Sequence, residues 1–237
     1  MLAFVLALAS AHAADAPGCS KTSIGKLAKQ DEPVVLVLGE RKGTLPDLSR
    51  AARLVRKLLK RGSVTLALQA VPSRHQGELD QYARGGLSIE VLPERLEWET
   101  SWGFPFEAYA PLFATARNGT KLVAIGERYV PPPEGEAVQV PPGYVQLLED
   151  PMGENPIPVE LESRYATFVA WADHRFADEA LKAWDGTGAL VIVVDRFHVE
   201  GGLGVQWQAR TLTQAPVTGV LLAEADSRCY QGDLVLK

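Results

Sequence analysis

The sequence predicts an α/β protein with a mostly parallel open sheet flanked by helices and a helical insertion. Three observations carry that expectation. The stretches "VVLVLG" (34–39), "KLVAIG" (121–126) and "ALVIVV" (189–194) are unbroken apolar runs rich in β-branched residues. Such runs mark strands buried on both faces of a parallel sheet. Between the first run and "SVTLALQAV" (63–71) lies "PDLSRAARLVRKLLKRG", with Leu48, Ala51, Leu54, Val55, Leu58 and Leu59 at helical spacing and Gly62 as a stop. A strand, a helix and a strand joined by a right-handed crossover make parallel neighbours. Each strand run also ends in charge or glycine, where open sheets of this kind place ligands.

The elements follow in order. "MLAFVLALASAHAADA" is a short apolar run ending in Ala11-His12-Ala13, which reads as a signal peptide over 1–13. It is shorter than the roughly 20 apolar residues a spanning helix requires. A polar leader is expected over 14–32 and a single α/β domain over 33–237. Within the domain, a helical, aromatic-rich insertion covers about 72–116, and a proline- and glycine-rich loop covers about 130–158. "RYATFVAWADHRFADEALKAW" supplies a long helix and "GVLLAEADS" a last strand. Cys19 and Cys229 are the two cysteines. In an exported protein they read as a disulfide tying the two ends, with a lipid tether through Cys19 as the alternative. The expected location is therefore the periplasm or outer envelope.

Acidic residues outnumber basic ones, 29 to 24, which argues against a nucleic-acid partner. No H-x-H, H-E-x-x-H or C-x-x-C spacing occurs, so no metal site is expected, and no G-x-S-x-G marks a serine nucleophile. The basic helix carrying Arg50, Arg53, Arg56, Lys57, Lys60 and Arg61 reads as a solvated outer face. His75 and His174 read as surface residues. His198 is better placed, at a strand end beside "EGGLG". The cluster Trp98, Trp102, Phe104, Phe106, Tyr109 and Phe113 reads as a subdomain core, or as the apolar wall of a pocket for a flat ligand.

The ordered motifs "VLGE", "ELDQYARG", "PLF..AR..G.KLVAIG", "DHRFADEAL" and "HVEGGLGV" resemble those of the ChaN-like haem-binding lipoproteins. That family shares a superfamily with the TIKI proteases and the erythromycin esterases. The resemblance covers about 33–208. It implies a first-strand Gly-Glu pair with a histidine two residues on, a glutamate ending the second strand, a helical aspartate and a late histidine. Here Gly39, Glu40, Asp178 and His198 match, whereas Lys42 stands at the histidine position and Gln69 at the glutamate position. A protonated lysine cannot ligate a metal and an amide cannot act as a base, so hydrolysis is expected to be absent. Glu40, Asp178 and His198 would carry it in the alternative of a metal-assisted hydrolase. The resemblance implies haem, or another flat apolar molecule, held by a tyrosine, with arginine for the propionates and room for a homodimer. The candidate ligand-binding residues are Tyr129, Tyr144, Arg128, His198, Glu40 and Arg41. Tyr82, Tyr109 and Tyr165 sit in helical patterns and read as packed. A site-degenerate scaffold for a protein partner is the remaining reading.

Overall fold

The computed structural model describes residues 19–127, 131–134, 136–149, 157–222 and 233–236. The chain begins with β1 (Ser20–Thr22) and a short helix α1 (Ile24–Leu27), followed by β2 (Val34–Glu40), α2 (Leu45–Leu58) and β3 (Val64–Pro72). The insertion holds α3 (Gln76–Ala83), α4 (Leu92–Arg95), α5 (Trp98–Ser101) and α6 (Phe106–Phe113), and leads into β4 (Lys121–Gly126). After the proline-rich loop come α7 (Tyr144–Glu149), α8 (Val159–Ala183), β5 (Ala189–Asp195), α9 (Val205–Leu212), β6 (Val217–Leu221) and β7 (Leu234–Leu236).

The sheet has seven strands in the order β1-β7-β6-β2-β5-β3-β4, and every pairing is parallel. Every residue of β2 is buried, as its unbroken apolarity predicts for a central strand covered on both sides. Alternate residues feed two cores. Leu36 and Leu38 join Leu48, Leu54, Leu58, Tyr109 and Phe113 on the α2–α6 face. Val35 and Val37 join Phe176, Ala177, Val205 and Ala209 on the α8–α9 face.

Part of the segment expected as a polar leader lies inside the fold. Ser20–Thr22 pairs with Leu234–Leu236, and Leu27 is buried. These strands are three residues each, too short to show a periodicity in sequence. Residues 1–18, and with them the signal peptide, lie outside the described residues, as does Cys229. The aromatic cluster is mainly core. Trp98 packs edge-on to Phe106, Tyr109 and Phe113, and its Nε1–H donates to the carbonyl of Phe104 at 2.6 Å.

Candidate functional site

At the carboxyl end of the sheet β2 and β5 stand in register, with Glu40 beside Asp195. From β2 the chain crosses to β3 on one side; from β5 it crosses to β6 on the other. Their loops therefore part here, at the kind of switch point where open parallel sheets bind ligands. Gly39 is required for this geometry, because a Cβ there would lie 2.9 Å from the Cα of Arg196. Gly204 plays the same part below, where a Cβ would meet the carbonyl oxygen of His198 at 2.1 Å.

Glu40 is 1% exposed. Its Oε1 accepts the Tyr109 hydroxyl at 2.5 Å, and the Tyr109 oxygen in turn accepts the Trp102 Nε1–H at 2.7 Å and the Gly43 N–H at 3.2 Å. The Oε2 atom is buried without a hydrogen-bond partner. Burial pushes the Glu40 carboxyl up to about 7; Asp195 and Asp47 add to the effect, while the Tyr109 hydrogen bond and Lys42 oppose it. Burial and the Glu40 charge push the Tyr109 hydroxyl up as well.

Arg41, its side chain 34% exposed, is held by the start of α2. It forms a two-pronged pair with the buried Asp47 at 2.9 Å on each arm, and Arg50 reaches the same carboxylate at 3.2 Å. The three groups fix the start of α2. Lys42 pairs with Asp195 at 2.9 Å and sits over the Trp102 ring, 5.4 Å from its centroid. Lys42 and Gln69, the two departures from the family pattern, thus both engage Asp195. The lysine takes its side chain, and Gln69 Oε1 accepts its backbone N–H at 2.7 Å.

That backbone bond fixes the Gln69 amide, so its NH₂ faces His198 Nε2 at 3.1 Å. The imidazole accepts there and carries its proton on Nδ1, which donates to Asp173 Oδ1 at 2.6 Å. The Tyr144 hydroxyl donates to the other oxygen, Oδ2. Tyr144, Asp173 and His198 are each at most 1% exposed. Tyr144 is therefore a core residue of a buried hydrogen-bonded chain, not a surface ligand. Burial pushes the Asp173 carboxyl up, and the attraction and hydrogen bond of His198 and the bond from Tyr144 offset this only in part.

Asp173, not Asp178, is the helical aspartate that meets His198. Asp178 lies five residues on, about 140° around α8, and pairs with Lys182 at 2.5 Å on the outer face. His75 is buried rather than exposed, within 4 Å of Glu78 and Glu97. His174 stacks on Trp171.

Two clefts stand out among the described residues. An apolar one of about 620 Å³ lies between the proline-rich loop and the start of α8, lined by Pro131, Pro132, Leu161, Arg164, Tyr165, Thr167 and Phe168. Tyr165, expected to be packed, is thus at a cleft wall. The other, of about 410 Å³, is polar and opens over the ends of β3 and β4, with Gln69, Arg74, Glu97, Ser101, Trp102 and Glu127 in its walls. Arg128 and Tyr129 lie outside the described residues. No helix among the described residues is long and apolar enough to cross a membrane.

Residues 24–127 match the family described as haem-binding uptake, Tiki superfamily, ChaN. Among solved structures the chain is similar to ChaN of Campylobacter jejuni, described for cofacial haem binding, with a TM-score of 0.63 and 18% identity over 86% of each chain. It is also similar to RRSP, a MARTX toxin effector domain from Vibrio vulnificus, with a TM-score of 0.54 and 17% identity over 90% of this chain and 39% of that one. The C-terminal region of Pasteurella multocida toxin, described with a thiol-protease-like catalytic triad, gives 0.51 and 14% over 87% and 25%. None of the curated proteins matches the chain.

Proposed function

We propose that this chain, which is ChaN-like over residues 24–127, binds haem in the apolar cleft between the proline-rich loop and α8. The cleft carries the reading. Its size falls within the range of small-molecule sites, and its walls are apolar with few polar groups. Those groups suit a tetrapyrrole bearing carboxylates. Leu161, Phe168, Pro131 and Pro132 cover apolar faces, the Arg164 guanidinium meets a propionate, and Tyr165 supplies a phenol. Ferric haem, when bound, supplies an iron that tyrosine can ligate. The sealed Tyr144 is unsuited to that role, which leaves Tyr165 as the tyrosine of the described lining.

Titration with ferric hemin tests the reading. A saturable, red-shifted Soret band at one equivalent is expected. A spectrum equal to free hemin plus protein at that ratio would overturn it. The hydrolase alternative gains no support from the described geometry, since Glu40 and His198 are sealed and Asp178 faces away.

The protein is further proposed to act outside the cytoplasm, in haem and iron uptake, after removal of residues 1–13. The Ser20 N–H donates to the Asp233 carbonyl at 3.0 Å, so Cys19 enters the fold alongside the C-terminal segment that follows Cys229. This supports a disulfide between the two ends. Protein secreted from its full gene is expected to have a mass starting at Ala14 and two hydrogens lighter than the reduced form. An intact residue 1, or a thioether-linked lipid on Cys19, would refute this.

A further inference from the structure

We propose that the outer face of α2, with α1 beside it, is a docking surface for an anionic lipid bilayer. The surface goes beyond haem binding and does not depend on it. From Leu48 to Gly77 the chain contains no acidic residue, whereas Arg53, Arg56, Lys57 and Lys60 follow one another along α2 and the turn after it. All four are exposed, while Leu48, Leu54, Val55 and Leu58 are buried on the other side of the helix. A surface helix gains from opposite charges three or four residues apart and loses from like ones. Here Arg53 stands at those spacings from Arg56 and Lys57, and Arg56 from Lys60. None of the four forms an ion pair among the described residues. The repulsion is left for an external anion to relieve.

The neighbouring helix enlarges this surface. Arg61 donates to the carbonyls of Ala28 and Gln30, which ties the end of α1 to the end of α2. The Lys57 ammonium reaches across to α1, 3.6 Å from where a Cβ on Gly25 would lie. Lys26 and Lys29 of this segment are exposed as well. Glu32, an acidic neighbour, lies past the last turn of α2, against Gly62. Basic charge is thus gathered on one face of a chain whose net charge is −5.

Charge complementarity and the lack of apolar anchors select lipid as the occupant. A protein partner binds around buried aromatic or aliphatic anchors. Among the described residues no exposed large apolar side chain lies between these cations; Leu45, the exposed one on α2, is at the opposite end of the helix. A layer of anionic headgroups requires only long cationic side chains near its surface, each worth about fivefold in binding. α2 and α8 also pack on opposite faces of the sheet, so a bilayer at α2 leaves α8 on the side away from the lipid.

Co-sedimentation of the purified full chain with vesicles tests the surface. At about 0.1 M salt, vesicles of phosphatidylglycerol mixed with phosphatidylcholine should bind the protein at least about tenfold more tightly than phosphatidylcholine alone, and about 1 M salt should release it. Arg56→Glu/Lys60→Glu should weaken binding at least about tenfold. Lys182→Glu/Arg210→Glu makes the same change of net charge on the α8–α9 side and should stay within about threefold of native. Equal binding to the two kinds of vesicle, or equal losses in the two folded variants, overturns the proposal. So does capture by polyglutamate without capture by vesicles, which would assign the face to an acidic protein. Should the α2 variant fail to fold, the lipid and salt dependence of the native protein decides, and binding that ignores both overturns the proposal.

Discussion

Asp173→Ala is expected to lower unfolding stability by about 2–6 kcal/mol at pH 7, from two buried donors left without an acceptor at about 1–3 kcal/mol each. The loss would have two sources. The Tyr144 hydroxyl and the His198 Nδ1–H would both keep their burial and lose their acceptor. The contacts broken would also join three separate parts of the chain: α7, α8 and the turn after β5. Asp173→Asn keeps one oxygen acceptor and should cost less, about 1–3 kcal/mol. Urea denaturation of the three proteins measures the series. A loss below about 1 kcal/mol for the alanine variant would mean that the buried chain contributes little.

Glu40→Gln should act in the opposite direction, and its effect should depend on pH. The folded protein raises the Glu40 carboxyl from 4.5 to about 7. The native state therefore holds a proton that the unfolded chain releases. The native glutamate is best tolerated below about pH 4.5, and its stability contribution falls as pH rises to about 7 and is flat beyond. Glutamine has no such dependence. Relative to native, the variant should gain about 2–3 kcal/mol more at pH 8 than at pH 5. Any fixed cost of the new amide cancels in that difference. Equal effects at the two pH values would contradict the burial of an ionisable Glu40.

The strands that position the site were legible because their burial leaves long apolar signatures: β2, β4 and β5 fall where the runs predict. β1 and β7 were not, since three residues carry no period and their pairing joins opposite ends of the chain. In the site, Glu40 and His198 were each read at a strand end, and it is the sheet order that makes those ends the neighbours β2 and β5. Asp173 was passed over for Asp178, although the sequence held a signal. Val169, Asp173, Phe176, Ala177 and Ala180 share one helical stripe, and a lone carboxylate in an apolar stripe needs a buried partner. Tyr144 looked like a loop residue because only its through-space partner, 29 residues on, shows that it is core. Tyr165 looked packed for the converse reason. Its helix face is covered by Pro131 and Pro132, some thirty residues earlier, and this leaves a cleft rather than a solid contact.

The central claim is that haem is held in the α8 cleft through Tyr165, and comparison of ferric hemin spectra for native protein and Tyr165→Phe tests it most directly. The native complex is predicted to show the phenolate-to-iron charge-transfer band and the high-spin signature of a tyrosine-ligated ferric haem. Tyr165→Phe should lose both and bind hemin at least about tenfold more weakly. Identical spectra and affinities for the two proteins would contradict the account.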